Sequence, residues 1–357
     1  MDVLESPREA GTPGAATARA RLRLELELLG YTVTEQPFTF SPAPLRALPL
    51  FGAGLGWLTL LLLPLLVFPD VPGWGALAAW LAGLGAVTAL AAGVALGWNG
   101  LGLPLRSDAN LIATRPGAVV RRWIVAHLDT KAQGHSMAGR LVAVWVTVAA
   151  VLVLTGLAVL RLAGAVPVFA AAAGALLALA AGALAGRGRL RGASEGGRDN
   201  GSGVVAALTA AAVVRDPSTG VLITGAEEFG LVGARVFARL TPERLAGAEV
   251  VNVDTVDEEG LIYLVSHDDA GHGLAEMLAA PLAALGPEVR RRRLPLGIFV
   301  DSHPLSRGGA AAVTVARLTW ATLRRLHTPR DTAGDLTFAT AERLGRIVGA
   351  LPPAPEN

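Results

Sequence analysis

The chain has 357 residues, which is enough for one large domain or two modest domains with an ample core. Apolar residues supply 52% of the sequence and charged residues only 17%, a composition too apolar for an ordinary water-soluble enzyme. The formal net charge is +2 and no basic stretch is interleaved with aromatic residues, which argues against nucleic-acid binding, while the absence of cysteine excludes disulfides and thiolate metal ligands.

The polar segments alternate between helical and strand patterns, which predicts an α/β domain with a mixed, largely parallel central sheet flanked by helices. Residues 14–29 have helical spacing and residues 31–40 alternate as a strand. Further strands are predicted at residues 110–116, 123–129, 221–228 and 249–256, and further helices at residues 201–214 and 236–245. Polar residues follow the apolar strands at their carboxyl ends, where open α/β sheets place their ligand sites.

Four uncharged apolar runs interrupt this pattern in two pairs: between Arg46 and Asp70, from after Pro72 to about Trp98, between Arg140 and Arg161, and between Arg161 and Arg187. Each is long enough to cross a bilayer core of roughly 30 Å, and four such runs are improbable as buried core helices. We therefore expect two transmembrane hairpins, at residues 46–105 and 141–187. Because an even number of crossings returns the chain to the side it left, residues 1–45, 106–140 and 188–357 are expected to form one domain.

Arginines indicate which side of the membrane this domain occupies. Six of them flank the hairpins on the side of the polar domain: Arg46, Arg106, Arg140, Arg187, Arg189 and Arg191. Only Arg161 lies at the opposite side. The positive-inside rule then predicts a multi-pass protein of the cell membrane with a cytoplasmic polar domain. A transporter is disfavoured, because transport sites place ionisable groups within the spans and these spans carry none.

Five short stretches contain the residue types that bind divalent metal ions. In His127-Leu-Asp129 the two side chains lie on one face of an extended segment, so that His127 can bind a metal while Asp129 accepts its other ring N–H or orients a neighbouring base. An ordinary histidine and aspartate at a strand end would look the same. Asp199 follows a glycine-rich segment and precedes a helix, so it suits either a helix N-cap or a carboxylate that bridges two ions.

Glu227 and Glu228 form the sharpest signal, because two adjacent acids after a buried strand repel each other unless a cation is near. One can bind metal while the other takes a proton from water, although a solvated pair in a loop is the simpler alternative. Asp254 follows an apolar strand, and His327 begins HTPRDT, in which Asp331 is expected to brace the imidazole. Residues 257–259 look like a solvated turn and receive no role. Two imidazoles and three carboxylates can hold two metal ions, with one carboxylate left as a base.

The segments AHLDT, RDNGSG, GAEEFGLVGAR, VNVDTV and HTPRDT together resemble the co-catalytic di-zinc aminopeptidases of clan MH, which include bacterial leucyl aminopeptidases, aminopeptidase Y and the glutamate carboxypeptidase group. Residues 6–38 and 300–315 are also similar to that family. The resemblance covers nearly all of the polar sequence and none of the apolar runs. It implies a zinc-exopeptidase fold made of residues 1–45, 106–140 and 188–357, with both hairpins inserted in its loops.

The resemblance also implies a role for each residue. Asp199 would bridge two Zn²⁺ or other divalent ions, His127 and Asp254 would complete one site, and Glu228 and His327 would complete the other. Glu227 matches the general base and Asp129 the residue that orients the site. Residues 301–303 match a stretch that lines the substrate pocket. In the relatives a short loop joins the segments of His127 and Asp199, whereas here a whole apolar hairpin separates them.

The expected function is therefore that of a membrane-anchored zinc aminopeptidase that hydrolyses the N-terminal residue of short peptides. Two alternatives remain open: an inactive peptidase-like membrane scaffold or receptor, and a glutaminyl-cyclase-like amide enzyme. The dense basic run at residues 290–293 is either a solvated strand or a contact with anionic lipid headgroups. The expected partners are a peptide substrate and the lipid bilayer.

Overall fold

The computed structural model describes residues 2–95, 104–164 and 166–354, and the chain divides into two compact units. Unit 1 comprises residues 1–40, 105–132 and 192–357, and unit 2 comprises residues 41–104 and 133–191. Within the described residues the helices are α1 (Pro13–Leu28), α2 (Ala43–Val67), α3 (Gly73–Ala95), α4 (Met137–Leu160), α5 (Val168–Gly186), α6 (Ser202–Val213), α7 (Val232–Leu240), α8 (Asp269–Ala283), α9 (Ser302–Arg307), α10 (Trp320–Leu323) and α11 (Ala339–Gly349).

Unit 1 is built around one eight-stranded sheet, which confirms the predicted mixed α/β fold. Its strands are β1 (Thr32–Phe40), β2 (Arg106–Thr114), β3 (Arg122–His127), β4 (Thr219–Thr224), β5 (Glu249–Val256), β6 (Leu261–Ser266), β7 (Val289–Arg293) and β8 (Ala311–Leu318). They follow the order β1-β2-β4-β3-β5-β8-β6-β7. The four central strands β4, β3, β5 and β8 are parallel, and the outer pairs β1–β2, β2–β4 and β6–β8 are antiparallel.

The central strands are continuous apolar runs because helices cover both faces of the sheet. Every residue of β3 and β4 is buried. One face carries α1, α6, α8 and α11, whose leucines and valines join the largest core cluster. The other face carries α7 and α9, and there Trp123 and Phe237 meet edge to face with ring centroids 5.2 Å apart.

Local sequence signals account for several helix starts. Thr12 caps α1 by accepting a hydrogen bond from the Ala15 N–H, and Pro13 occupies the first turn, where its missing N–H costs nothing. Asp268 caps α8 by accepting from the Gly271 N–H at 2.7 Å. At the sheet edge, β7 carries four consecutive arginines, a composition that discourages pairing with another chain.

Unit 2 contains the apolar helices α2, α3, α4 and α5, which pack around their own core of leucine, alanine and Trp80. Trp80 donates its indole N–H to Thr155 Oγ1 at 2.9 Å. Arg161, at the end of α4, is buried and donates to five main-chain carbonyls, among them those of Phe68 at 2.8 Å and Val71 at 2.5 Å. Its charge thus holds together the turns of the two hairpins.

Among the described residues, three helices of unit 2 have the length and composition to cross a membrane, whereas the sequence predicted four. They cover Gly73–Gly93, Met137–Leu160 and Val168–Gly186, and α2 contributes a shorter apolar helix, Gly54–Val67. Many large side chains on this unit are exposed, such as Trp57 at 70% and Phe169 at 79%. The predicted end of the second run, near residue 98, lies outside the described residues.

Candidate metal centre

Four of the five candidate ligands lie at or beyond the carboxyl ends of the four parallel strands, and the fifth, Asp199, lies in the turn before α6. β3 ends with His127, and β4 is followed by Glu227 and Glu228. Asp254 lies near the end of β5, and His327 lies beyond β8. In the sheet, β3 lies between β4 and β5. The chain passes from β3 to β4 on one side and then to β5 on the other side, so the strand order reverses at β3. The centre lies at this point, where α/β sheets commonly bind ligands.

Asp129 holds both the histidine of its own segment and the glutamate pair. Its main-chain carbonyl lies 3.1 Å from His127 Nδ1, which leaves Nε2 of that ring to face the centre. Its carboxylate accepts hydrogen bonds from the main-chain N–H of Glu227 at 2.9 Å and of Glu228 at 3.1 Å. Of the two roles suggested by the sequence, the carboxylate therefore orients the glutamate segment, while the imidazole is held by the backbone.

The loop that carries Asp199 is fixed to β5 by the next residue. Asn200 Oδ1 accepts from Gly203 N at 2.9 Å and from Thr255 N at 3.2 Å, and its amide donates to the Val253 carbonyl at 2.8 Å. A bulge between Val253 and Val256 interrupts the pairing of β5 with β8 at the position of Asp254. Together these bonds bring Asp199 and Asp254 to the same place.

Asp331 does not brace the imidazole of His327, contrary to the expectation from HTPRDT. Its two carboxylate oxygens accept from the main-chain N–H groups of Arg198 at 2.8 Å and Asp199 at 3.1 Å. Within the described chain, His327 Nδ1 has no hydrogen-bond partner. Asp331 therefore positions the Asp199 loop, because the turn after His327 directs its carboxylate towards that backbone.

The five predicted ligands form two groups that share Asp199. His127 Nε2 lies 3.2 Å from Asp199 Oδ1 and 3.7 Å from Asp254 Oδ1. His327 Nε2 lies 3.1 Å from the other oxygen of Asp199 and 3.4 Å from Glu228 Oε1. In each group, His127–Asp199–Asp254 and Asp199–Glu228–His327, the ligand atoms all lie within 4.8 Å of one another. Glu227 belongs to neither group among the described residues.

The charges of the centre are strongly coupled because its side chains are buried. Burial raises the pKa of Glu227 well above its usual value, and repulsion from Glu228, Asp301 and Asp254 adds to this against the pull of His127. Burial alone would also raise the pKa of Glu228, but His327 and Lys131 outweigh it and lower that pKa to about 2. The adjacent glutamates thus differ, and Glu227 holds its proton the more tightly.

The donor set fits divalent metal ions. The ligand atoms of each group face one another: an imidazole nitrogen and carboxylate oxygens of Asp199 and of either Glu228 or Asp254. Ionised carboxylates have no hydrogen to donate to each other, so a cation between them would stabilise the arrangement. Glu228 Oε1 is buried and has no hydrogen-bond partner in the described part of the chain, as expected of a ligand atom. These groups are consistent with a zinc site.

Two buried basic residues near the candidate ligands were not predicted from the sequence. Lys131, the chain's one lysine, is buried with its ammonium 2.5 Å from Glu228 Oε2. Arg8 is fully buried and contacts the loops that carry His127 and Asp199. The rarity of lysine and its place directly after HLDT were visible signals, whereas nothing in the sequence around Arg8 announces its contacts.

The remaining predictions have mixed outcomes. Asp257 is buried and accepts from Arg198 Nε at 3.0 Å and Thr322 Oγ1 at 2.6 Å, so the solvated turn expected at residues 257–259 is wrong at its first position. Asp301 is buried and accepts from Thr224, and burial raises its pKa to about 7. Residues 290–293 are strand β7, and three of its arginines pair with acids of this chain.

A family model agrees with the site. The model for Peptidase family M28 matches residues 182–351, a segment that contains four of the five predicted ligands and Glu227, but not His127. A search of curated proteins finds no match to the chain.

Solved structures with the same fold cover almost the whole chain at low identity. A glutaminyl cyclase from Fimbriiglobus ruber has a TM-score of 0.57 at 15% identity, covering 98% of this chain and 90% of its own. A Zn-dependent exopeptidase from Parabacteroides distasonis has a TM-score of 0.56 at 13% identity, covering 98% and 92%. A leucine aminopeptidase precursor from Bacteroides thetaiotaomicron has a TM-score of 0.55 at 14% identity, covering 98% and 91%. The sheet and these likenesses together show an α/β fold shared with zinc-dependent exopeptidases and glutaminyl cyclases.

Proposed function

We propose that this chain is a metallo-exopeptidase, specifically an aminopeptidase that removes the N-terminal residue of short peptides. The observation that carries the proposal is the pair of ligand groups sharing Asp199, with Glu227 buried beside them and outside both. Asp199 would bridge two divalent ions, His127 and Asp254 would complete one site, and Glu228 and His327 the other. When bound, such ions lower the pKa of water and polarise a carbonyl oxygen.

The chain's own residues then divide the proton work. Glu227 takes the proton from the attacking water and delivers it to the leaving amine, a role open to a glutamate that is buried beside both ligand groups and belongs to neither. Asp129 orients the Glu227 backbone through its carboxylate and His127 through its carbonyl. Thus one residue aligns a ligand with the base, although it touches neither substrate nor metal.

Membrane anchoring is the second part of this proposal. Support comes from three helices of sufficient length and apolar composition, and from the large apolar side chains that unit 2 exposes. Within unit 1, Phe40 of β1 pairs with Arg106 of β2, so the chain between them begins and ends on one side of any bilayer. If α3 crosses, α2 must cross as well, although its described apolar part is short. The arginine distribution favours a cytoplasmic unit 1.

Glutaminyl cyclisation is the competing activity, since cyclases share this fold. It differs in its chemistry, because a cyclase needs no water to attack the amide. The complete set of two ligand groups with a separate glutamate favours hydrolysis. An inactive scaffold is the non-enzymatic alternative, and the presence of every predicted ligand argues against it.

The deciding experiment compares detergent-purified wild-type protein with Glu227→Gln and, as a control, Glu276→Gln, which removes an exposed acid outside the site. Metal content, aminoacyl-amide hydrolysis and cyclisation of a glutaminyl peptide are measured on each. We expect the wild type and the control to bind metal and hydrolyse the amide, and Glu227→Gln to keep its metal and lose about 10²–10⁴-fold in kcat. Bound metal without turnover in any variant would favour the scaffold, and cyclisation without hydrolysis would favour the cyclase.

A further inference from the structure

The N-terminal residues contribute a buried guanidinium to the region of the candidate centre. Arg8 is 0% exposed, and all of its side-chain hydrogen bonds go to main-chain carbonyls. Nε donates to Leu128 O at 3.0 Å and Nη2 to Gly196 O at 3.1 Å. Nη1 donates to Glu195 O at 2.7 Å, with further bonds to Leu4 O and Ser6 O. No carboxylate is among its hydrogen-bond partners within the described chain, so the group serves geometry more than ion pairing.

Three of these carbonyls, those of Leu128, Glu195 and Gly196, belong to the two loops that carry candidate ligands. Leu128 lies between His127 and Asp129, while Glu195 and Gly196 lead into the turn that carries Asp199. These loops are far apart in sequence, because residues 133–191 of unit 2 intervene. One planar group with five N–H donors therefore fixes the spacing of two segments that chain connectivity leaves independent.

The backbone of Arg8 repeats the connection. Its N–H donates to Thr130 Oγ1 at 2.9 Å and its carbonyl accepts from Thr130 N at 3.2 Å. Thr130 Oγ1 in turn donates to Ser194 O at 3.0 Å. Main chain and side chain of one residue thus bind the same pair of loops, one next to His127 and the other before Asp199.

From these contacts we infer that Arg8 is a positioning residue for metal binding, which sets the distance between the His127 loop and the Asp199 loop. The inference rests on the proposed function. Lysine cannot replace it, because a single ammonium with three donors cannot reach carbonyls on both sides of the junction. Buried carbonyls without a hydrogen-bond donor are costly, so they would move towards water. The two loops would then move apart.

The test measures divalent-metal affinity by calorimetry with Zn²⁺ on the full-length protein in detergent, for wild type, Arg8→Lys and Arg8→Ala. Arg122→Met is the matched control, since Arg122 is also buried, pairs with Glu249 and begins β3 at the end opposite His127. We expect both Arg8 variants to bind Zn²⁺ about 10–100-fold more weakly at a temperature where all variants are folded. The control is expected to lose thermal stability and keep its affinity.

Chemical rescue separates positioning from general stability. Low millimolar guanidinium should strengthen Zn²⁺ binding by Arg8→Ala, because the ion fits the space left by the side chain, and should leave Arg122→Met unchanged. If Arg8→Lys binds Zn²⁺ as tightly as the wild type, the inference is wrong. That result would not contradict the proposed peptide hydrolysis. If both Arg8 variants unfold, absence of refolding in guanidinium overturns it as well. A wild-type protein that binds no divalent metal would overturn the proposed function together with this inference.

Discussion

Three positions at the metal centre have a backbone conformation that side chains other than glycine rarely adopt. The φ angles of Ala226, Thr255 and His327 are 52°, 63° and 62°. Such conformations cost about 1–3 kcal/mol each and persist only where surrounding contacts enforce them. Here they turn Glu227, Asp254 and His327 towards one point. The backbone strain at these three positions accompanies the convergence of the three side chains. It lies at or next to the residues to which the proposed chemistry is assigned.

Lys131 stabilises the acids of the centre when metal is absent. Its ammonium and the carboxylate of Glu228 are both nearly fully buried and 2.5 Å apart, so removing one partner leaves the other charge uncompensated. We predict that Lys131→Met lowers the free energy of unfolding of the metal-free protein by about 3 kcal/mol. Added Zn²⁺ should recover most of the loss.

Thermal unfolding in chelator and in Zn²⁺ measures this effect. The control Arg346→Met breaks an exposed pair with Glu342 and should change stability by less than about 0.5 kcal/mol. An equal loss of unfolding free energy in Lys131→Met and Arg346→Met would mean that the buried ion pair contributes no more to stability than the exposed one.

The sequence predicted which side chains would converge, because each of the five candidate ligands stands in a short motif whose residue types suit a cation. The roles of Asp331, Arg8 and Lys131 were not predictable in the same way. Their contacts join segments distant in sequence, and a motif carries no information on which backbone N–H or carbonyl a side chain will meet.

Among the elements, α6 packs unusually closely against the strand that carries Asp254. A Cβ atom added at Gly203 would lie 2.1 Å from Asn200 Oδ1 and 2.4 Å from Val253 O, so neither the helix nor β5 can accept one in place. Gly273, within α8, has nothing within 4 Å of the same position. The first glycine is required by packing, and the second is not.

We therefore predict opposite effects for two otherwise identical substitutions. Gly203→Ala should lower stability by about 1–3 kcal/mol and weaken Zn²⁺ binding, because displacing Asn200 moves Asp199. Gly273→Ala should raise stability by about 0.4–1 kcal/mol, since alanine favours the helix. Thermal unfolding and metal titration of both variants give the comparison. Tolerance of alanine at position 203 would show that the helix can move away from β5.

Arg161 joins the two hairpins of unit 2 through carbonyls alone. We predict that Arg161→Met destabilises this unit by about 2–3 kcal/mol, because buried carbonyls lose their donor. Thermal unfolding in detergent, followed by tryptophan fluorescence, measures the loss. Arg46→Met removes an equally charged but exposed side chain and should leave the midpoint unchanged. A similar shift in both would assign the effect to net charge.

The strand pattern of the sequence predicted β1 to β5, but it missed β6, β8 and the irregular places of the sheet. The strand before the glutamate pair ends at Thr224, so Glu227 and Glu228 lie in the following turn, and β5 is interrupted by a bulge. Side-chain alternation cannot reveal either feature, because both depend on hydrogen bonds to other segments. Of the four predicted spans, three are matched by helices of spanning length among the described residues, and α2 contributes a shorter apolar helix.

At the scale of the whole molecule, buried carboxyls make the metal-free protein sensitive to pH. Burial raises the pKa of Asp301 from 3.8 to about 7. The folded state thus holds this proton more tightly than the unfolded chain, and the contribution to stability is fully present below about pH 4 and lost as the pH rises through about 7. For one proton the slope reaches about 1.4 kcal/mol per pH unit.

We predict that the stability of the metal-free protein falls between pH 4 and 7, and that Asp301→Asn, which cannot ionise, falls less steeply. Chemical unfolding in chelator at several pH values within this window provides the measurement. The exposed Asp269→Asn serves as the control and should follow the wild-type curve. Parallel curves for Asp301→Asn and wild type would assign the pH dependence to other acids.

The register of the first two strands has a consequence for the architecture of the gene product. Phe40 faces Arg106 across neighbouring strands, so the intervening segment leaves and rejoins the sheet at adjacent points. A two-residue turn could bridge that gap, and shortening the connection also lowers the entropy lost on closing it. The first apolar hairpin is thus a removable insertion: genetic excision of the residues between Phe40 and Arg106 should leave the sheet of unit 1 able to form.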